Sequence, residues 1–132
     1  MRVFLDTNIL VSATATRGLC TDVLRVTMEF HELVVSEHLF EELERTLKTK
    51  FEAPADLIVE TLEMLRQDAV IATSEPLAKV FLKDRNDLAI VSAAIQGGAE
   101  VLVTGDKEIL ALGRVGTLEI VSPRQFWERE KA

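Results

Sequence analysis

Five short apolar runs punctuate the chain: Val3-Phe4-Leu5, Leu33-Val34-Val35, Ala69-Val70-Ile71-Ala72, Val101-Leu102-Val103 and Leu118-Glu119-Ile120-Val121. The unbroken runs, rich in β-branched residues, suit strands buried on both faces better than half-exposed strands, whose side chains would alternate between apolar and polar. Helix-like periodicity fills the intervals between them. Strand and helix alternating in this way predict an α/β fold with a parallel sheet covered by helices on both faces. The 132 residues fit one domain spanning 1–132, large enough to bury a real core. No internal repeat, linker or low-complexity tract interrupts it.

A short apolar segment from Asn8 to Ala13 follows the first run, and Thr16-Arg17-Gly18 reads as a turn. Thr21 or Asp22 is expected to open the next helix, with Val23, Leu24, Val26, Thr27 and Phe30 on its apolar stripe. Ser36 is a candidate N-cap for a helix over residues 37–50 with Leu39, Phe40, Leu43 and Leu47 inward. Pro54 starts a helix over 55–67 carrying Leu57, Ile58, Thr61, Leu62 and Leu65, and these two helices form a predicted hairpin. The segment Leu88–Ile95 is so poor in polar residues that it must be buried, and Gly97-Gly98 stops it. A short turn around Ile109–Leu112 and a last helix opened by Ser122-Pro123, with Phe126 and Trp127, complete the pattern.

Composition excludes several classes. Cys20 is alone, so neither an intrachain disulfide nor a cysteine metal cage is available, and a reducing cytoplasm is the expected compartment. Asp6 breaks the N-terminal apolar run before it could serve as a secretion signal, and no run is long enough to cross a bilayer. The formal charge of −7 argues against a surface that holds a polyanion by charge alone. Two divalent cations held by the acids would change that balance to −7 + 4 = −3 and reverse the local field.

Two acids stand at equivalent places, Asp6 after the first strand and Asp106 just past the fourth. Ligands of open α/β sheets bind outside the carboxyl ends of the strands, and neighbouring strands lie about 4.8 Å apart, so the two carboxylates could converge there. Asp84 and Asp87 guard the start of the buried helix, and one glutamate comes from the helix over 37–50, although periodicity does not choose among Glu41, Glu42 and Glu44. Each aspartate could equally cap a helix or meet its dipole. Gathered together they would repel one another unless a cation intervened, and oxygen-only donors select Mg²⁺ or Mn²⁺. His31 and His38 lack a second histidine at ligand spacing and read as surface or cap residues, and Cys20 reads as a small core residue. Thr104-Gly105-Asp106-Lys107 has no phosphate-cradling glycine pattern.

Val3-Phe4-Leu5-Asp6-Thr7-Asn8, Ser36-Glu37-His38-Leu39-Phe40-Glu41-Glu42-Leu43, Asp84-Arg85-Asn86-Asp87 and Val103-Thr104-Gly105-Asp106-Lys107 follow one another in an order that resembles the PIN-domain ribonucleases. The likeness is strongest to the toxin components of prokaryotic type II toxin-antitoxin pairs, and it reaches the ending Ile120-Val121-Ser122-Pro123-Arg124-Gln125-Phe126. The resemblance implies a three-layer α/β/α sandwich with a central parallel five-stranded sheet in the order 3-2-1-4-5. It also implies hydrolysis of RNA phosphodiester bonds with Mg²⁺ or Mn²⁺. Carried over by position, it makes Asp6, Glu42, Asp87 and Asp106 the metal-binding catalytic acids, Glu42 being chosen because it directly precedes Leu43. Asn8, Asp84 and Thr104 become accessory residues, with Arg85 standing where the family often has proline. Lys83, Arg85 and Lys107, flanking the acids, are candidates for gripping RNA phosphates. A cognate antitoxin and a homodimer are the implied protein partners, with no membrane association. Two alternatives fit less well. An aspartate-nucleophile phosphatase wants an acid where Asn8 stands, and a non-catalytic RNA- or protein-binding module would not need all four acids.

Overall fold

The computed structural model describes residues 1–131. In chain order the elements are β1 (Arg2–Leu5), α1 (Thr7–Ala15), α2 (Leu19–Phe30), β2 (Glu32–Ser36), α3 (Glu37–Thr49), α4 (Ala55–Arg66) and β3 (Val70–Ala72). They continue with α5 (Arg85–Gln96), β4 (Val101–Val103), α6 (Lys107–Leu110), β5 (Arg114–Val115), β6 (Leu118–Val121) and α7 (Pro123–Glu130). The sheet order is β3-β2-β1-β4-β6-β5. All pairings are parallel except β5 with β6, and the order of the five predicted strands is the expected one, with β6 as the fifth.

Connections β1 to β2 to β3 move one way across the sheet, whereas β3 to β4 to β6 move the other. Right-handed crossovers then put α1 to α4 on one face and α5 with α6 on the opposite face. The contacts agree, since α1 packs on α2 and α3, α7 packs on α2, and α5 lies against β2 and β3. Both faces of the central strands are therefore covered, and Val3, Phe4, Leu5, Val101, Leu102 and Val103 are buried in one continuous core. α5 approaches the sheet closely because Gly97 has no side chain: a Cβ there would stand 2.4 Å from Val34 Cγ1 and 3.0 Å from Ala72 Cβ.

Several expectations need correction. The sheet has six strands rather than five, because Arg114–Val115 folds back on β6 through a turn at Gly116, whose φ of 59° favours glycine. Two residues are too few to carry a periodic signal. α2 begins at Leu19 rather than at Thr21 or Asp22, with Gly18 as a cap that offers no side-chain bond, since Leu19 and Cys20 already pack against the core. Phe30 is exposed because α2 has run past the core by its last turn, and Leu57 is exposed in the first turn of α4. The start of α5 at Arg85, by contrast, agrees with the capping reading of Asp84, whose side chain accepts the Asp87 backbone N–H at 3.0 Å.

Candidate functional site

The register of β1 against β4 decides where the acids go. Leu5 pairs with Val103, so Asp6 leaves its strand level with Thr104, and the Asp6 N–H bonds the Val103 carbonyl at 3.0 Å. The Asp6 carboxylate is buried and held at both oxygens. Oδ1 accepts the Thr7 N–H at 2.7 Å, and Oδ2 accepts the Thr104 hydroxyl at 2.6 Å. Thr104, fully buried, uses its hydroxyl a second time, accepting the Asp106 N–H at 3.0 Å. One hydroxyl thus ties together the two acids from neighbouring strand ends. Asp106 caps α6, its Oδ1 accepting the N–H groups of Glu108 at 2.8 Å and Ile109 at 3.1 Å. The cap uses only Oδ1, which leaves Oδ2 with no hydrogen-bond partner among the described residues, and capping does not rule out a site role.

Glu42 arrives from α3 and is placed by Thr7, a residue that carries no role in the sequence reading. The Thr7 hydroxyl donates to Glu42 Oε1, linking the first residue of α1 to a side chain 35 positions away. Local signal for this was confined to a hydroxyl beside the strand-end acid. Burial pushes the Asp6 carboxyl upward, against the Thr104 and Thr7 hydrogen bonds that favour its ionised form, and the charges of Glu42 and Asp106 push the same way as burial. Asp87, in the first turn of α5, is raised to about 6, first by desolvation and then by the charges of Asp106, Asp84, Asp6 and Glu108. The fold places these acids close enough to repel: Asp6 feels the charges of Glu42 and Asp106, and Asp87 those of Asp106 and Asp6.

Asp84 is exposed and serves as the α5 cap, and Asn8 is exposed on α1 with no side-chain hydrogen bond among the described residues. Lys83, Arg85 and Lys107 are exposed on the same segments as the acids, and among the described residues none of them has a carboxylate within ion-pair distance. A shallow cavity of about 490 Å³ lies elsewhere, lined by Glu37, His38, Glu41 and Glu75 beside the end of β3. Its acids make it a poor seat for phosphate, and it shares no residue with the rim.

As placed, no three Asp, Glu, His or Cys side chains among the described residues form a ready cage for an ion. The donor set nevertheless has the right chemistry for a hard divalent cation. It is made of carboxylates alone, and two of them are held away from easy ionisation by burial and by their neighbours' charge. No helix among the described residues is long and apolar enough to cross a membrane.

A mostly parallel α/β sheet with carboxylates collected at the carboxyl ends of adjoining strands defines a class in which the strand rim is the working edge. A family model described as the PIN domain matches residues 2–108, a span that includes all four acids, and the chain belongs to that family. Solved structures share its fold. VapBC2 from Rickettsia felis, bound to a DNA fragment from its promoter, matches with a TM-score of 0.62 and 20% identity over 92% of this chain and 98% of that one. VapBC-1 from nontypeable Haemophilus influenzae gives 0.63 and 19% over 94% and 99%. Mycobacterium tuberculosis VapC20, a sarcin-ricin loop cleaving toxin, gives 0.58 and 14% over 89% and 98%. No curated protein matches the chain.

Proposed function

We propose that the chain is a divalent-metal-dependent endoribonuclease, the toxin of a cytoplasmic toxin-antitoxin pair. The observation that carries this reading is the Thr104 hydroxyl between Asp6 and Asp106, which holds acids from two strand ends on one edge. Family membership and the likeness in fold to VapC20, described as a sarcin-ricin loop cleaving toxin, support it. The VapBC neighbours support an antitoxin as partner.

Asp6, Asp87, Asp106 and Glu42 would hold Mg²⁺ or Mn²⁺, which supplies a Lewis acid that lowers the pKa of bound water and steadies charge on phosphate. The chain's own contribution is positioning. Thr7 and Thr104 fix the Asp6 carboxylate from two sides, so its orientation costs little to maintain during reaction. Glu42, restrained by the Thr7 hydroxyl, aligns the attacking water. Lys83, Arg85 and Lys107 grip phosphates beside the acids and offset the repulsion between an acidic protein and RNA.

Purified protein is expected to cleave RNA with Mg²⁺ or Mn²⁺ and not in chelator. Asp6→Asn is expected to lower the single-turnover rate by about 100-fold or more while the thermal transition stays cooperative. Equal rates for the two proteins would trace the cleavage to a contaminant and remove the assignment.

A further inference from the structure

The segment between β3 and α5, residues 73–84, is irregular but anchored. The Leu77 N–H bonds the Ser92 hydroxyl of α5 at 3.1 Å, the Val80 N–H bonds the Leu77 carbonyl at 3.1 Å, and the Gln96 side chain bonds the Thr73 and Glu75 carbonyls at 3.2 and 2.8 Å. Val80 is buried at 7% exposure, and Leu82 packs partly against the core. Between these two inward residues Phe81 points outward and is 84% exposed, more than any other large apolar side chain among the described residues. Alternation about an anchored backbone holds the ring in solvent; the loop does not leave it there by accident of slackness.

Phe81 lies three residues before Asp84, so its Cα stands within about 11 Å of the α5 cap. Lys83 and Arg85, which have no carboxylate partner among the described residues, fall between Phe81 and Asp87 in the chain and are exposed. An exposed aromatic followed by free cations on the approach to a phosphodiester-cutting site is the combination that binds single strands: cations track the phosphates and the ring takes a base. We propose that Phe81 is a stacking platform for an unpaired base of the RNA strand that crosses the acid rim. The proposal rests on the ribonuclease reading and deepens it, because stacking requires a splayed base and so selects single-stranded or looped RNA over duplex. A protein partner covering the ring is the competing occupant. The cations favour RNA, since a single strand offers a phosphate for each of them beside the base that the ring takes.

Binding is measured in the Asp6→Asn background by anisotropy of a fluorescein-labelled single-stranded RNA of about 12 nucleotides. Phe81→Ala is expected to weaken binding about 5- to 150-fold and to leave the slope of log Kobs against log salt unchanged, whereas Lys83→Ala lowers that slope by about 0.7. Phe81→Trp is expected to restore affinity, with its emission quenched by the RNA beyond any change seen for Trp127 alone. An RNA duplex of the same sequence should show no loss on Phe81→Ala. Unchanged single-strand affinity in Phe81→Ala overturns the proposal, as does loss of self-association or of antitoxin binding with RNA affinity intact. If wild-type protein binds the strand through Phe81 yet never cleaves it, the nuclease reading fails while the stacking contact stands.

Discussion

Thr104 does at the scale of one residue what the fold does at the scale of the sheet. Its single hydroxyl hydrogen is committed to the Asp6 carboxylate and one of its lone pairs to the Asp106 backbone N–H, so one group positions the Asp6 side chain and the Asp106 backbone together. Asp87 has no such restraint on its carboxylate, and burial with four neighbouring acids lifts it to about 6 from an ordinary 3.8. Between those values the folded chain keeps a proton that the unfolded chain has released. The stabilisation from that proton is complete below about 3.8 and is lost as pH rises through about 6. Asp6 is shifted in the same direction. In chelator, Asp87→Asn is therefore expected to melt higher than wild type at about pH 7, by several degrees, with the gap closing toward about pH 4. Melting curves of both proteins across that range check this, and a gap independent of pH would assign the effect to packing instead of titration.

Among the elements, α5 is the one whose placement matters most, since its first turn carries Asp87 and its far end is pressed onto β2 and β3. Gly97 lies at φ −81°, a conformation open to any residue, so its requirement is purely one of space. Gly97→Ala should drive a methyl into Val34 and Ala72 and cost about 1–3 kcal/mol in chemical denaturation, while Gly105→Ala, with nothing within 4 Å, should change stability little. Elements of this sort were legible where burial is two-sided: β1 and β4 are apolar runs because both faces are covered, and the acids just past them were readable from that alone. Legibility failed where tertiary context overrides local pattern. Phe30 and Leu57 fall on apolar stripes yet face solvent at helix ends, and two-residue β5 exists only because β6 is there to pair with. Glu42 could not be separated from Glu41 and Glu44 by periodicity, because what distinguishes it is the Thr7 hydroxyl, contributed by a distant part of the chain.

Across the whole molecule, an excess of seven negative charges is distributed unevenly. Many of the basic side chains away from the rim are already engaged: Arg66 with Glu37, Arg2 with Glu32, Arg114 and Arg129 with Glu119, Arg124 and Lys131 with Glu128. Among the described residues Lys83, Arg85 and Lys107, like Arg17, Arg45, Lys50 and Lys79 elsewhere, have no ion-pair partner, so beside the mutually repelling acids there are cations available to an outside phosphate. A divalent ion held by these acids would relieve that repulsion only in the folded chain, and would then stabilise folding by mass action, by about 2.7 kcal/mol at a concentration 100 times its Kd. The melting temperature of wild-type protein is expected to climb with the logarithm of Mg²⁺ or Mn²⁺ concentration and to stay flat in sodium chloride of equal ionic strength. Because protons compete for Asp87, the climb should be steeper at about pH 7 than at about pH 5. Asp6→Asn combined with Asp87→Asn should flatten it at both. A wild-type melting temperature indifferent to the ion would mean that these carboxylates tolerate one another without it, and the metal would have to be dropped from the reaction.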